Sequence, residues 1–153
     1  MSESIITNSA NFGTRVMAFA IDFVFLGIIH FFLFALLAGK LIQAIYIEPL
    51  AILTFLALFP PVFFLSFFLL HMAYFTLFHA WLGQTIGKML MGIRVETNDN
   101  ELISPAASFL RWSGYILSFA PLAAGFLWAA VDKDQCAWHD RLAQTRVVSA
   151  EMT

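Results

Sequence analysis

Charged positions are so rare along this chain that its elements are outlined by where charge is missing. Residues 16–39 are mostly apolar with Asp22 as their only charge, and residues 49–87 contain no Asp, Glu, Lys or Arg. A membrane-spanning helix needs roughly 20 mostly apolar residues. Both runs meet that length, the second over 50–79, with a short loop expected over 40–48. Pro60 and Pro61 are expected to kink the second helix, because each lacks a backbone donor and crowds the preceding turn. Trp81 follows the run, where an interfacial indole is expected. Beyond a small, apolar stretch over 83–91, Ile93 and Val95 alternate with Arg94 and Glu96. The "TNDN" of Thr97 to Asn100 reads as a turn, and Glu101-Leu102-Ile103 as a returning strand, which predicts a small surface hairpin. Ser104-Pro105 is an N-cap followed by a proline at the first helical position.

A third apolar region covers 102–131, holding Arg111 and interrupted by Pro121 and Gly125. As a third full span it would leave the cations evenly divided: Arg15, Lys88, Arg94 and Arg111 on one side, and Lys40, Lys133, Arg141 and Arg146 on the other. If it instead enters and returns, seven cations share one side and only Lys40 lies opposite. The positive-inside tendency therefore favours a broken re-entrant helical hairpin over the alternative, a third full span. It also predicts that the tail shares the side of the N-terminus, which is expected to be cytoplasmic. In such a hairpin Arg111 and Asp132 come to similar heights and are expected to pair.

Composition sets the class. The 153 residues are 61% apolar and 12% charged, with 18 phenylalanines; soluble domains average about 45–50% and about 25%. A water-soluble sphere of this size cannot hide so much apolar surface, so the expectation is an all-α integral membrane protein with one domain over 1–153. A net charge of -2 gives no footprint for nucleic acid. Cys136 is the single cysteine, so an intrachain disulfide cannot form. The opening "MSESIITNSANFGT" has no lysine or arginine in its first residues and no small-residue cleavage site after a short apolar core, so a cleavable signal is not expected.

The carboxylate inside the first helix is the main chemical question. Asp22 lies seven residues beyond Arg15, within roughly 20° on the same helix face and about 10 Å deeper. Burying it costs up to several kcal/mol unless it is paired, hydrated or protonated. Arg15 and Arg111 are the expected partners, in a charge network or ion path that also takes in Asp132, Asp140 and Arg141. Such a network can relay protons or cations, or it can staple helices together.

Other motifs carry less. "GQTIGK" (Gly83 to Lys88) has one residue too few between its glycines for a phosphate loop, and Met89 stands where Ser or Thr is needed. Gly83 and Gly87 fit the small-xxx-small spacing of close helix packing. His30, His71 and His79 lie in or beside apolar runs at spacings that form no metal signature, with His79 expected at the interface. Cys136, His139 and Asp140 would share a helix face, but a fourth zinc ligand is missing. No metal or cofactor is expected. Neither is an enzyme, since no nucleophile has a partner base.

Taken in order, "RVMAFAID", "GQTIGKMLMGIRVE", Arg111 and "HDRLAQTRVV" resemble the RDD family of small integral membrane proteins over nearly the whole chain. The resemblance equates the family's arginine with Arg15, its first aspartate with Asp22 and its second with Asp140, Asp132 being the weaker match. Gly83, Thr85, Gly87 and Lys88 match its glycine- and lysine-bearing stretch. Gln144 departs from it, standing where members often carry glycine. The resemblance implies a multi-pass protein of the bacterial plasma membrane and a role in transport, with cation/proton exchange proposed for some members. Two functions follow as expectations. The first is a transport module for protons or small cations, which at this size needs a homo-oligomer. The alternative is a membrane scaffold or assembly protein whose buried charges are structural and whose partners are lipid or another membrane protein.

Overall fold

The computed structural model describes residues 9–48 and 50–150. Residues 1–8 of the opening stretch expected to lack a cleavable signal, Pro49 at the head of the charge-free run, and residues 151–153 lie outside the described residues. The elements run α1 (Phe12–Ile47), α2 (Ala51–Leu82), α3 (Ile86–Leu90), β1 (Ile93–Thr97), α4 (Pro105–Phe119), α5 (Ala124–Val131), α6 (Trp138–Leu142) and β2 (Thr145–Ser149).

Among the described residues two helices are long and apolar enough to cross a membrane, α1 over Phe12–Lys40 and α2 over Ala51–Leu82. The loop expected over 40–48 is helical as far as Ile47. Leu, Gln and Ala there are good helix formers, and the stop comes where the residue before a proline is pushed out of the helical region. α2 continues through Pro60 and Pro61 as one helix. Apolar helices tolerate internal proline where neighbouring groups satisfy the freed carbonyls. The third apolar region is a bent pair, with α4 and α5 meeting at 98°. Ser104 caps α4 by accepting from the Ala107 amide at 3.1 Å, with Pro105 in the first turn. Pro121 lies in the turn, and Leu122 and Ala123 take positive φ of 53° and 62°. Gly125 does not make the bend. A Cβ there would stand 2.6 Å from Ser118 Cα, so the missing side chain lets α5 close onto α4.

The chain divides into two compact units, one built from Met1–Asp22 with Met72–Thr153 and one from Phe23–His71. The second unit is a pair of helical segments zipped by aromatic rings. His30 packs against Phe34 and Phe63 at 4.7 Å, and Phe34 against Phe63 at 4.8 Å. Its outer surface carries Phe31, Phe32, Leu36, Leu53 and Phe64 exposed. Apolar exposure of this extent is suited to lipid.

The first unit holds a two-stranded sheet and a small core of Ala10, Ala18, Ile93, Val95, Ile103 and Val147. The sheet corrects the expected local hairpin. β1 pairs antiparallel with β2, in the register Ile93↔Ser149, Val95↔Val147 and Thr97↔Thr145. Glu101 instead closes the turn, its carbonyl accepting from the Thr97 amide. The alternation in "IRVET" was a sound strand signal, but burial chose a distant partner: Val147 and Val148 bury fully against β1 and its neighbours, while Leu102 stays exposed. Ser9 bridges Val148, and the Ala10 amide donates to the Val147 carbonyl at 2.9 Å. The start of α1 and the end of the chain are thus tied together.

Gln144 joins α6 to β2 with φ of 53°. A glycine adopts that left-handed conformation without Cβ strain. Gln144→Gly is expected to raise stability by about 0.5–1 kcal/mol, read as a higher unfolding midpoint in detergent. A lowered midpoint would mean that the side chain, exposed here, makes a contact that outweighs the strain.

Candidate functional site

The first unit buries most of its charge in one cluster, drawn from every helix but α5. Asp22 and Arg15 come from α1, His79 from α2, Lys88 from α3, Arg111 from α4, and His139 and Asp140 from α6. All but Arg15 are buried, and the Arg15 side chain is only 11% exposed.

Asp140 is the hub. Its Oδ2 accepts from Arg15 Nη1 at 2.8 Å and from the Ala137 amide at 2.8 Å. Its Oδ1 forms an ion pair with Arg111. Arg111 also donates to Thr145 Oγ1 at 2.6 Å, and that hydroxyl in turn donates to the Asp140 carbonyl. Arg15 donates to the Ala10 and Val147 carbonyls as well. Burial alone would raise the Asp140 pKa, but Arg111, His139 and Arg15 outweigh it and hold the carboxyl well below its ordinary range. A carboxylate flanked by two guanidiniums stays ionised.

Asp22 is held differently. The Tyr74 hydroxyl donates to Oδ1 at 2.7 Å, the Gly87 amide to Oδ1 at 2.7 Å, and the Thr85 hydroxyl to Oδ2. Tyr74 is itself fixed by accepting from the Ile86 amide at 3.0 Å. The expected arginine partners are absent: among the described residues Arg15 and Arg111 both turn to Asp140. Thr85 caps α3, and from the first turn of that short helix the Gly87 amide reaches the carboxylate. Gly87 is required by contact, since a Cβ would fall 2.0 Å from the Ala18 carbonyl oxygen and 3.0 Å from Asp22 Cγ. Gly83 is no part of a matching helix face. It takes φ of +65° in the link between α2 and α3, against the Val95 carbonyl. The small-xxx-small reading thus gives way to two separate glycine requirements.

The remaining expectations divide. Asp132 does not pair with Arg111; it pairs with Arg141, whose side chain is 55% exposed, and accepts from the Cys136 amide. That bridge sits at the surface, because Asp132 ends α5 and Arg141 points away from the hub. His79 is fully buried within the protein, and its Nε2 meets Lys88 Nζ. Cys136 precedes α6, so the face expected to join it with His139 and Asp140 does not form. Sequence reading missed Tyr74 and Thr85 as ligands of Asp22, and the Lys88–His79 contact. The available signals were the N-cap position of Thr85 and a tyrosine in a charge-free run.

An aromatic wall encloses the hub. Tyr115 and Phe126 pack on His139 at 4.6 and 5.0 Å, and Phe19 on Phe75 at 5.9 Å. Burial in this setting lowers the His139 pKa to about 3, with Asp140 opposing that shift and Arg111 adding to it. On the outer side a groove lined by Ser9, Cys136, Asp140, Gln144 and Thr145 reaches the hub.

Acid should therefore weaken the fold in two steps. Between pH 6.5 and about 3 the unfolded chain protonates residue 139 while the folded chain does not, so stability falls as pH falls, by up to about 1 kcal/mol per unit. Below about pH 4 the contribution of ionised Asp140 begins to fade. His139→Gln should flatten the first step in a thermal-unfolding series against pH, and an unchanged slope would place the acid sensitivity elsewhere. Asp140→Asn should destabilise by roughly 3–5 kcal/mol, because it strands the buried Arg111 and the largely buried Arg15; a loss under about 1 kcal/mol would deny Asp140 its central place.

No curated protein and no solved structure matches the chain. Residues 9–144 match the model of the RDD family. That span contains Arg15, Asp22 and Asp140 and closes at the left-handed Gln144, and the chain is thereby a member of the RDD family of small membrane proteins.

Proposed function

We propose that this protein is a proton-handling transport module for protons or small cations, with Asp22 as the titrating carrier. The observation that carries this reading is the division of labour between the two buried aspartates. Asp140 is the carboxylate paired with both arginines, so protonating it would leave Arg15 and Arg111 without their ion partner in the core. Among the described residues, the hydrogen-bond donors that hold Asp22 are neutral: Tyr74, Thr85 and Gly87. It can take up or release a proton without breaking an ion pair. A buried carboxylate of that kind on an apolar helix marks a pathway by default.

Two long helices and a bent pair cannot enclose a path alone, and a homo-oligomer supplies the missing wall. The backbone link between Ser9–Ala10 and β2 supports a shared side for the N-terminus and the tail. The seven-to-one excess of cations favours the cytoplasmic side of a bacterial plasma membrane. In that placement the bent pair α4–α5 enters and returns, with the exposed Leu122 at its lipid-facing tip.

The scaffold reading draws on the same three donors, which would make Asp22 a clasp between α1, α2 and α3. Asp22→Asn separates the two. Asparagine Oδ1 can keep the Tyr74 and Gly87 bonds, and the Thr85 hydroxyl can turn to accept from Nδ2, so stability should change by less than about 1 kcal/mol. Flux of cations driven by a pH gradient in proteoliposomes should fall to background. Wild-type flux absent under every cation gradient, or retained in full by Asp22→Asn, would defeat the transport reading.

A further inference from the structure

We propose that Lys88 and His79 form a second proton site in the buried cluster, one that holds a single exchangeable proton between two nitrogens. This rests on the transport reading and deepens it, since it names where the counter-moving proton is stored.

Lys88 Nζ and His79 Nε2 stand 2.5 Å apart, and both residues are buried. An ammonium offers donors only, and an imidazole nitrogen accepts only when it carries no hydrogen. One hydrogen must therefore lie between them and two cannot. With the exchangeable proton the pair is lysine ammonium facing a bare imidazole nitrogen; without it, lysine amine faces a neutral imidazole, donating to its bare nitrogen or, in the other ring tautomer, accepting from its N–H. The first carries one positive charge and the second carries none.

The surroundings decide how firmly that proton is held. From α1 the pair is faced by Arg15 and Asp22, from α4 by Arg111, and from α6 by His139 and Asp140. His139 stays neutral, its pKa lowered to about 3 by burial. The two arginines are balanced by the two aspartates. A proton on the pair is then the one buried positive charge in this set without a counter-ion. Burial pushes the Lys88 pKa well below the ordinary lysine range, and Arg111 adds to that, while Asp140 and Asp22 oppose it.

This charge count couples the two sites. Lys88 follows Gly87, whose amide holds Asp22, on the single-turn helix α3. When Asp22 gains a proton, one negative charge disappears, and the proton on the pair becomes less favourable. A monovalent cation arriving beside the carboxylates has the same effect. Uptake at Asp22 and release at Lys88–His79 therefore run in opposite senses, which is the behaviour one-for-one exchange needs.

The test reads the lysine directly in the full-length protein. The chain has three lysines, Lys40, Lys88 and Lys133. Lys40 and Lys133 are exposed, so the Lys40→Arg/Lys133→Arg double variant leaves one labelled side chain in a folded protein. Nitrogen-15 NMR of the ζ-nitrogen in detergent micelles should show Lys88 releasing its proton at a pH well below that at which Lys40 and Lys133 do in the wild type. A Lys88 signal titrating together with the other two would overturn the proton site, whatever the flux. In proteoliposomes Lys88→Met, which never takes the proton, and Lys88→Arg, which never releases it, should both abolish exchange; flux retained by Lys88→Arg would also overturn it. A low-titrating Lys88 with no wild-type flux would leave the proton site standing and defeat the transport reading instead.

Discussion

Everything buried in the first unit depends on the ion triplet Arg15–Asp140–Arg111. Asp140 comes from a five-residue helix near the end of the chain, and an element that short does not hold its place by itself. It is held because two guanidiniums from α1 and α4 converge on its carboxylate. Arg15 also ties down the Ala10 and Val147 carbonyls, so the same side chain anchors the sheet. Removing one member leaves a buried charge without compensation, which costs far more than the pair contributes over an apolar replacement. The triplet thus specifies an arrangement more than it adds stability.

That constraint explains why Asp22 and Asp140, similar on the page of a sequence, differ in kind. Once both arginines are committed to Asp140, the carboxylate on α1 must find neutral donors. Tyr74, Thr85 and Gly87 supply them. Gly87 does so only because nothing larger fits against the Ala18 carbonyl, so close backbone approach and carboxylate capture are one requirement.

The elements with strong periodicity or apolar length were legible from the chain. Both long helices, the capped start of α4 at Ser104-Pro105, the break around Pro121 and the strand at Ile93 follow from local rules of length, capping and alternation. What was not legible is who meets whom. A charged side chain seven positions from another on one helix face looks like its partner, yet Arg15 points to a residue 125 positions away. The strand at Ile93 chose β2 over a nearby turn for the same reason, because burial of Val147 and Val148 outweighs the entropy saved by a short loop. Pairing is a tertiary property, and sequence distance carries little information about it. Gln144 sits between these cases: its departure from the family's glycine could be read from the chain, but its left-handed backbone, which suits that glycine, needed the α6–β2 turn to be seen.

Under the transport reading proposed above, the placement of charge also limits how a cycle would run. On that reading Asp140 stays an anion and His139 neutral, and the proposed exchange involves the charges on Asp22 and on the Lys88–His79 pair. Both meet α3, a helix of one turn that carries Lys88 and whose cap, Thr85, itself donates to Asp22. A change of protonation at Asp22 alters the bonds that position α3, and α3 carries Lys88. Electrostatic coupling between the two sites is therefore joined by a mechanical one through a short segment with few bonds of its own. Short helices with few internal hydrogen bonds open at low cost, so α3 is the element of the cluster best suited to move while the arginine-clamped hub stays still.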